Sequence, residues 1–508
     1  MRLPRGCGIL LHPTSLPGPN GSGDLGSDAR HFVDWLVAGG QTLWQILPLG
    51  GIGAGHSPYM SPSAFAGNVL LIDLADLHAH GWLDAADLEP DASFDRRRIR
   101  FDRVVPWRMQ RLERSAARFA AHASAADREA FAAFCTAQAS WLDESALFMA
   151  LSDHFAGLAW NEWGPDLARR DPHALQQARS AHAARIALHK FCQWRFFAQW
   201  QALRAYANER GVRIVGDAPI YVAHHSAEVW SQQALFDLDA AGHATAVAGV
   251  PPDFFSATGQ RWGNPLYRWP AHAADGYRWW TERIRRIFEQ VDIVRIDHFR
   301  GFAQYWEVPA AAPTAVDGRW CMGPGAALFD AIAAELGPLP IVAEDLGLIT
   351  PDVVALRQRF AFPGMRVLQF AFGDDSRNVY LPHHHEADSV VYTGTHDNDT
   401  TLGWWAAASA KEKQHALAYL ATDGHAIHWD LIRAACASVA DTAIVPMQDV
   451  LGLGSEARMN LPGNADGCWA WRFEWEHVQP WHADRLHALC RLYGRGVPGA
   501  EPASGAIA

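Results

Sequence analysis

Three acidic residues follow three separate apolar runs of the chain. Asp297 comes after VDIVRI, Glu344 after PIVA, and Asp397 after VVYTGTH. A nucleophile must be ionised and a general acid must carry a proton, and two carboxyl groups in different surroundings can divide these roles. Unless the site is wide, three carboxyl groups repel one another, so at least one is expected to stay protonated near neutral pH. Cleavage of a glycosidic bond requires such a set of acids.

The neighbours of Asp297 and Glu344 predict different environments for the two carboxyl groups. Side chains alternate along a strand, so Arg295 shares a face with Asp297 and is expected to lower its pKa and keep it ionised. Burial behind the apolar run PIVA, with negative charge nearby, is expected to raise the pKa of Glu344. Asp345 should face the other way. On the stretch around Asp297 alone, a purely structural ion pair fits the same pattern.

Strands and helices alternate along most of the chain and predict how the acids are positioned. The alternation predicts parallel pairing and an α/β fold, a (β/α)8 TIM barrel with inserted, largely helical subdomains. The active site of such a barrel lies at the carboxyl ends of its strands. Five predicted strands end in an acid: Asp217, Asp297, Glu344, Asp397 and Asp449. For Asp449 a structural role is as open as a catalytic one.

Residues 1–493 are predicted to form this single catalytic domain. From about residue 75 to residue 206 the chain has helical spacing and is predicted to be a helical insertion. Residues 248–270 combine Pro, Gly and paired aromatic residues without periodicity. Exposed Phe254 and Phe255 would be costly without a ligand or a core, so this loop is predicted to be a lid, with an ordinary surface crossing as the alternative. Residues 494–508 are predicted to be a disordered tail.

Composition limits the classes of function. Hydrophobic residues at 49% and charged residues at 19% are typical of a globular protein. No run approaches the 18 apolar residues of a membrane span, so no contact with a membrane is predicted. The net charge of -12 argues against a general affinity for nucleic acid or anionic lipid. The 23 tryptophans could stack on sugar rings, although core filling explains most of them.

Cysteine and histidine usage predicts neither a disulfide framework nor a metal site. The seven cysteines are scattered without CxxC spacing, which predicts reduced thiols in a cytoplasmic protein. The amino terminus is interrupted by Gly, Pro and His before it reaches signal-peptide length, so a first strand is predicted there. The consecutive histidines at 383–385 cannot all face one ion. No metal and no cofactor are therefore expected.

Several motifs resemble one enzyme family. They are LLHPTSLPG near the amino terminus, PPDFFSATGQRWGNPLY, RIDHFRG, AEDLGLIT, TGTHDNDTTLGWW and LGLGSEARMNLPG. These runs are similar to those of the 4-α-glucanotransferases known as amylomaltases or disproportionating enzymes, of glycoside hydrolase family 77. The resemblance extends to WAWRF at residues 469–473 and so covers nearly the whole chain.

The resemblance implies a retaining mechanism on α-1,4-glucans, with a glucan donor and a sugar acceptor as partners. It implies that Asp297 is the nucleophile, Glu344 the general acid/base and Asp397 the stabiliser of the transition state. The expected substrate-binding residues include the two phenylalanines of the predicted lid. They are Ser57, Tyr59, Asp217, Phe254, Phe255, Gln260, Trp262, Arg295, His298, His396 and Asn460. The calcium site of α-amylases is not expected, because no Asn-His pair follows Asp217 in the usual place.

The sequence is compatible with two other functions, and three of its residues depart from the family pattern. An α-amylase-like retaining hydrolase would use the same three acids, and a non-catalytic glucan-binding protein would keep the aromatic cleft. His225 stands where the family commonly has an acid, and Asn464 and Cys468 stand where Thr and Asn are more usual. These departures bear on fine substrate preference. Oligomeric state and preferred chain length are not encoded in any of these patterns.

Overall fold

Parallel strands form the centre of the protein. We describe residues 3–252, 256–464 and 466–496 from a computed structural model. Within these residues the strands are β1 (Gly6–Leu10), β2 (Leu43–Gln45), β3 (Arg213–Ala218), β4 (Ala246–Val250), β5 (Gln260–Pro265), β6 (Ile293–Ile296), β7 (Gln304–Pro309), β8 (Arg319–Met322), β9 (Ile341–Ala343), β10 (Gly364–Val367), β11 (Ser389–Tyr392) and β12 (Thr442–Pro446).

Helices connect the strands and cover the outside of the barrel. Among the described residues, none of them is long and apolar enough to cross a membrane. The helices are α1 (Ser27–Ala38), α2 (Leu74–Ala79), α3 (Phe101–His122), α4 (Ala125–Ala137), α5 (Ala139–His154), α6 (Pro165–Ala168), α7 (Pro172–Ala181), α8 (Ala183–Glu209), α9 (Ala227–Ser231), α10 (Trp269–Ala274), α11 (Arg278–Gln290), α12 (Ala326–Leu336), α13 (Pro351–Arg359), α14 (Thr401–Ala407), α15 (Ala410–Leu420), α16 (Ile427–Ala437), α17 (Met447–Val450) and α18 (Pro480–Leu492).

Eight of the strands make the barrel. Their order is β10-β11-β12-β1-β2-β3-β6-β9, and every neighbouring pair is parallel. The two ends of this sheet approach each other where the Ala343 N–H donates to the carbonyl of Pro363, at 2.9 Å. The strands are buried on both sides, as parallel strands covered by helices must be. The predicted (β/α)8 barrel is confirmed.

Between β2 and β3 the chain forms helices joined by loops and short turns. This segment contains α2 to α8, and its longest helix, α8, has 27 residues. Trp194 and Trp200 of α8 are buried, and Trp194 packs near Phe119 of α3 and Trp82, with ring centroids 5.3 and 5.8 Å apart. Aromatic side chains bury large apolar areas. Many of the tryptophans therefore fill this interior.

A second, antiparallel sheet lies in the connections after β3 and β6. Its strand order is β5-β4-β7-β8. The loop expected at residues 248–270 is therefore partly strand: β4 and β5 pair across it, with a register shift between Val247 and Gly249. The bulge and the turn at Gly259, whose φ is +66°, interrupt the alternation that would have indicated strands. Phe254 and Phe255 lie outside the described residues, and so do residues 497–508 of the tail expected from residue 494 onward. Arg495 lies within that expected tail but is fully buried and donates to main-chain carbonyls, so the prediction of disorder is wrong at this residue.

The amino and carboxyl ends of the described chain meet at a disulfide between Cys7 in β1 and Cys490 in α18. The expectation that all cysteines are reduced is wrong for this pair. The two residues are 483 positions apart, and only closure of the barrel brings β1 and α18 together, so spacing along the chain gave no signal. The free cysteines among the described residues are Cys135, Cys192, Cys321, Cys436 and Cys468.

Candidate active site

Four carboxyl groups gather at the carboxyl ends of the barrel strands. Asp217 lies near the end of β3, Asp297 directly after β6, Glu344 directly after β9, and Asp397 in the loop after β11. The charges of Asp217, Glu344 and Asp397 all act on Asp297. The three acids that the sequence placed at the ends of three strands are thus brought together at one mouth of the barrel.

Arg295 connects two of these carboxylates. Its Nη1 atom donates to both oxygens of Asp217, at 2.8 and 2.7 Å, and its Nη2 atom donates to Oδ1 of Asp297, at 3.0 Å. Asp217 and Arg295 are paired in register between β3 and β6, which sets the first contact. The expected pairing of Arg295 with Asp297 is confirmed, but the cation is shared with a carboxylate 78 residues away.

The pKa of Asp297 differs from the expectation. Burial raises it from 3.8 to about 8; Arg295 opposes this shift, while Asp217, Glu344 and Asp397 add to it. The expectation that Asp297 has a lowered pKa is wrong, because the net shift is upward even though Arg295 lowers it. A single guanidinium that already binds Asp217 cannot offset burial and three neighbouring carboxyl groups. The site therefore holds a proton near neutral pH, as the crowding of acids predicted.

Glu344 is half-buried and held by two backbone donors. The His298 N–H donates to Oε2 and the Leu346 N–H to Oε1, each at 2.8 Å. His298 has a left-handed backbone conformation, φ 51°, next to the turn that presents its N–H to Glu344. Burial raises the pKa of Glu344 in spite of Arg295 and these donors, so the expected direction is confirmed. Asp345 points elsewhere and accepts from the Met365 N–H at 2.7 Å.

Tyr59 lies beneath this cluster in a network that the sequence did not reveal. Its hydroxyl is 2.6 Å from Oδ2 of Asp217 and 2.8 Å from Nε2 of His396. Asp217 has no exposed side-chain surface, and both of its oxygens are used by Arg295 and Tyr59. Ser57 caps the short turn before Tyr59 by accepting from its N–H, at 3.2 Å. These residues hold one another in place.

Asp397 is positioned by the segment that follows α17. Nδ2 of Asn460 donates to Oδ1 of Asp397 at 2.6 Å, and Nη2 of Arg458 donates to the carbonyl oxygen of Asp397 at 2.6 Å. The Asp397 side chain keeps 40% of its surface exposed, so it faces the open cleft. Arg458 was not singled out in the sequence, although it stands inside the motif that contains Asn460.

Two histidines near the acids, the half-buried His298 and the buried His396, each have one unpaired ring nitrogen among the described residues. Nε2 of His298 and Nδ1 of His396 are buried and have no hydrogen-bond partner in the described part of the chain. Burial lowers the pKa of both imidazoles, for His298 to about 3, so both rings are neutral at pH 7. Trp262 meets His298 edge to face, with centroids 4.8 Å apart, and its indole N–H donates to Oε1 of Gln260 at 3.1 Å. Polar atoms left unpaired in a cleft are suited to bind a ligand.

The other residues that the sequence singled out have structural contacts. His225 accepts from the Trp160 N–H at 3.1 Å and lies 3.2 Å from the Ser152 hydroxyl, within the helical region. Asp449 is buried and accepts from the Thr393 hydroxyl at 2.6 Å and from Thr401. Asn464 is exposed, and Cys468 is buried beneath the same turn. His385 of the histidine run lies 2.7 Å from the Ser438 hydroxyl.

A parallel eight-stranded barrel with acids gathered at its carboxyl-terminal mouth defines a (β/α)8-barrel enzyme. Comparison with known proteins gives the family. A family model described as 4-alpha-glucanotransferase matches residues 11–478. A 4-alpha-glucanotransferase of Thermus thermophilus is 51% identical over 503 residues, which cover 97% of this chain and 100% of the relative. A 4-alpha-glucanotransferase of Synechocystis is 48% identical over 494 residues, which cover 96% and 98%.

A solved structure supports the same assignment. The amylomaltase from Streptococcus agalactiae in complex with acarbose matches with a TM-score of 0.95 at 37% identity, covering 97% of this chain and 100% of that one. The chain belongs to the 4-alpha-glucanotransferase family, glycoside hydrolase family 77. The family and the enzyme class inferred from the motifs are confirmed.

Proposed function

We propose that this 4-alpha-glucanotransferase moves a segment of an α-1,4-glucan to the 4-hydroxyl of glucose or of another α-1,4-glucan. The observation that carries the proposal is the buried Arg295, which binds Asp217 and Asp297 beside Glu344, whose pKa is raised by burial. This arrangement supplies a nucleophile and a general acid from two neighbouring carboxyl groups.

The first step breaks the donor linkage. In the reactive form the proton held by the site is on Glu344, and Asp297 is ionised. Oδ of Asp297 attacks the anomeric carbon while Glu344 gives its proton to the glycosidic oxygen, and the bond between the anomeric carbon and that oxygen breaks. The leaving glucan departs with a free 4-hydroxyl, and the retained segment is bound to Asp297 as an ester. Glu344 is left as a carboxylate, which its two backbone donors stabilise.

The second step restores the linkage on the acceptor. The acceptor's 4-hydroxyl gives its proton to Glu344, and its oxygen attacks the anomeric carbon. The ester bond breaks, the electron pair returns to Asp297, and Arg295 meets the restored carboxylate. Because each step inverts the anomeric carbon, the product keeps the α configuration.

The remaining polar groups are proposed to hold the sugar at the bond that reacts. Asp397 faces the cleft and would stabilise the oxocarbenium-like transition state, and the free nitrogen atoms of His298 and His396 would meet sugar hydroxyls. Asp217 and Tyr59 would act behind them by fixing Arg295 and His396. Trp262 offers an aromatic edge to the acceptor side.

A lid over the acceptor is proposed from residues 248–270. Water must be excluded if a sugar is to compete for the glycosyl-enzyme, and Phe254 and Phe255 are two adjacent aromatic residues of this segment. Replacement of both by Ala is expected to raise the fraction of hydrolysis. An unchanged ratio of transfer to hydrolysis would remove the lid from the proposal.

Incubation with maltotriose and separation of the products tests the reaction. Transfer gives glucose together with maltopentaose and longer chains, whereas an α-amylase-like hydrolase gives only shorter sugars. Asp297→Asn is expected to abolish both, and Asp375→Asn, at an exposed position, serves as the matched control. Shorter products alone, or full activity of Asp297→Asn, would refute the proposal. A cytoplasmic location is likewise proposed; the five free cysteines support it, whereas the disulfide between Cys7 and Cys490 does not.

A further inference from the structure

Asp397, in the loop after β11, depends on contacts from a segment that follows β12, the last barrel strand of the chain. Residues 455–460 run alongside the loop 395–399 and are tied to it at both ends. The Ser455 hydroxyl donates to Oδ2 of Asp399 at 2.7 Å, and the Asn460 N–H donates to the carbonyl of His396 at 3.1 Å. Between these ties lies Arg458.

Arg458 bridges the two segments through its planar guanidinium. Nη2 donates to the carbonyl oxygen of Asp397 at 2.6 Å, and Nε donates to the carbonyl oxygen of Asn460 at 2.7 Å. Among the described residues Arg458 forms no ion pair within 4.0 Å, and its guanidinium donates to these two main-chain oxygens. A guanidinium presents several donors in a fixed fork, which a flexible ammonium cannot reproduce.

The bridge determines how Asn460 meets the carboxylate. Because Arg458 fixes the main chain of Asn460 against that of Asp397, Nδ2 of Asn460 donates to Oδ1 at 2.6 Å. Oδ1 is thereby engaged by a protein donor, and the rotation of the carboxylate is restricted. Oδ2 remains for the hydroxyl groups of the sugar, where hydrogen bonds strengthen in the transition state.

We propose that Arg458 and Asn460 are positioning residues that act through Asp397, with Asn460 serving the carboxylate rather than the sugar. This inference rests on the proposed function, in which Asp397 stabilises the transition state. A small misplacement of such a group lowers the rate of the chemical step far more than substrate binding. Loss of Arg458 or Asn460 is therefore expected to lower kcat rather than to raise KM.

The test uses Arg458→Ala, Arg458→Lys and Asn460→Ala, assayed by glucose release from maltotriose. Arg458→Ala and Asn460→Ala are each expected to lower kcat by about 10- to 100-fold with KM changed by less than about twofold. Arg458→Lys should recover only part of the loss, and millimolar guanidinium should restore activity to Arg458→Ala. Arg377→Ala, which removes an exposed arginine bound to Asp375, is the matched control.

Double variants separate this role from a general effect on folding. If Arg458 acts through Asp397, Arg458→Ala should cost less than about threefold in the background of Asp397→Asn. The losses of Arg458→Ala and Asn460→Ala should likewise fail to add. Fully additive losses, an increase in KM alone, or unchanged kcat in Arg458→Lys and Asn460→Ala would each overturn the inference.

The same variants distinguish a failure of the inference from a failure of the proposed function. If Asp397→Asn loses activity while the Arg458 and Asn460 variants keep it, only the positioning role is wrong. If Asp397→Asn itself keeps full activity, the proposed role of Asp397 is wrong, and the positioning role falls with it.

Discussion

Asp297→Asn is expected to remove activity. It is also expected to be more stable than the parent, by an amount that grows as the pH rises. The pKa of Asp297 is raised from 3.8 to about 8, mainly by burial, so the folded protein holds a proton that the unfolded chain has lost between about pH 4 and pH 8. A group with a raised folded pKa contributes stability that is present at low pH and is lost as the pH rises through this window. Asparagine does not titrate, so the variant avoids this loss.

The magnitude follows from the size of the window. One extra proton in the folded state costs at most about 1.4 kcal/mol of stability per pH unit, or about 2.7 kcal/mol between pH 5 and pH 7. The Asp297 side chain is 27% exposed, and solvent screens part of this cost. We therefore expect the stability advantage of the variant to be larger at pH 7 than at pH 5 by about 1–1.5 kcal/mol.

Urea unfolding at pH 5 and pH 7, followed by tryptophan fluorescence, measures this difference. Asp375→Asn, at an exposed carboxylate, should show the same stability relative to the parent at both values. Transfer by Asp297→Asn should fall on the order of 10⁴-fold or more, as for other removed nucleophiles. A stability advantage that is equal at the two pH values, or larger at pH 5, would refute the electrostatic reasoning.

Three further changes have expected outcomes. Tyr59→Phe removes the hydroxyl that joins Asp217 to His396 and should lower kcat about 10-fold without loss of folding, as checked by initial rates and circular dichroism. Glu344→Gln should lower kcat/KM by about 10²- to 10⁴-fold and remove the alkaline fall in the pH–rate profile of the parent, because the raised pKa of Glu344 sets that limb. Arg495→Ala should lower the free energy of unfolding by about 3 kcal/mol or more in urea. Arg495 is fully buried, and its hydrogen bonds go to main-chain carbonyls, including several between residues 435 and 441 in the last turn of α16 and just after it. An unfolding midpoint equal to that of the parent would contradict this.

The local pattern of apolar runs and helices was sufficient to predict the barrel and the positions of its acids. Asp297, Glu344 and Asp397 each follow an apolar run, and the alternation of such runs with helices leaves few arrangements besides a parallel barrel. The predicted strand ends then place the acids on one face. Strands β4 and β5 were not predicted, because a bulge and glycines disturb the two-residue alternation of side chains that indicates a strand.

Sequence by itself thus determined which residue types stand at the mouth of the barrel, because apolar periodicity and strand ends are local properties. Only the tertiary structure decided how these residues share charges and hydrogen bonds. The contact of Arg295 with Asp217 spans 78 positions, and that of Asn460 with Asp397 spans 63. Such pairs depend on which strands become neighbours when the chain closes. The pKa of Asp297 follows from that closure, since burial and every nearby charge contribute to it.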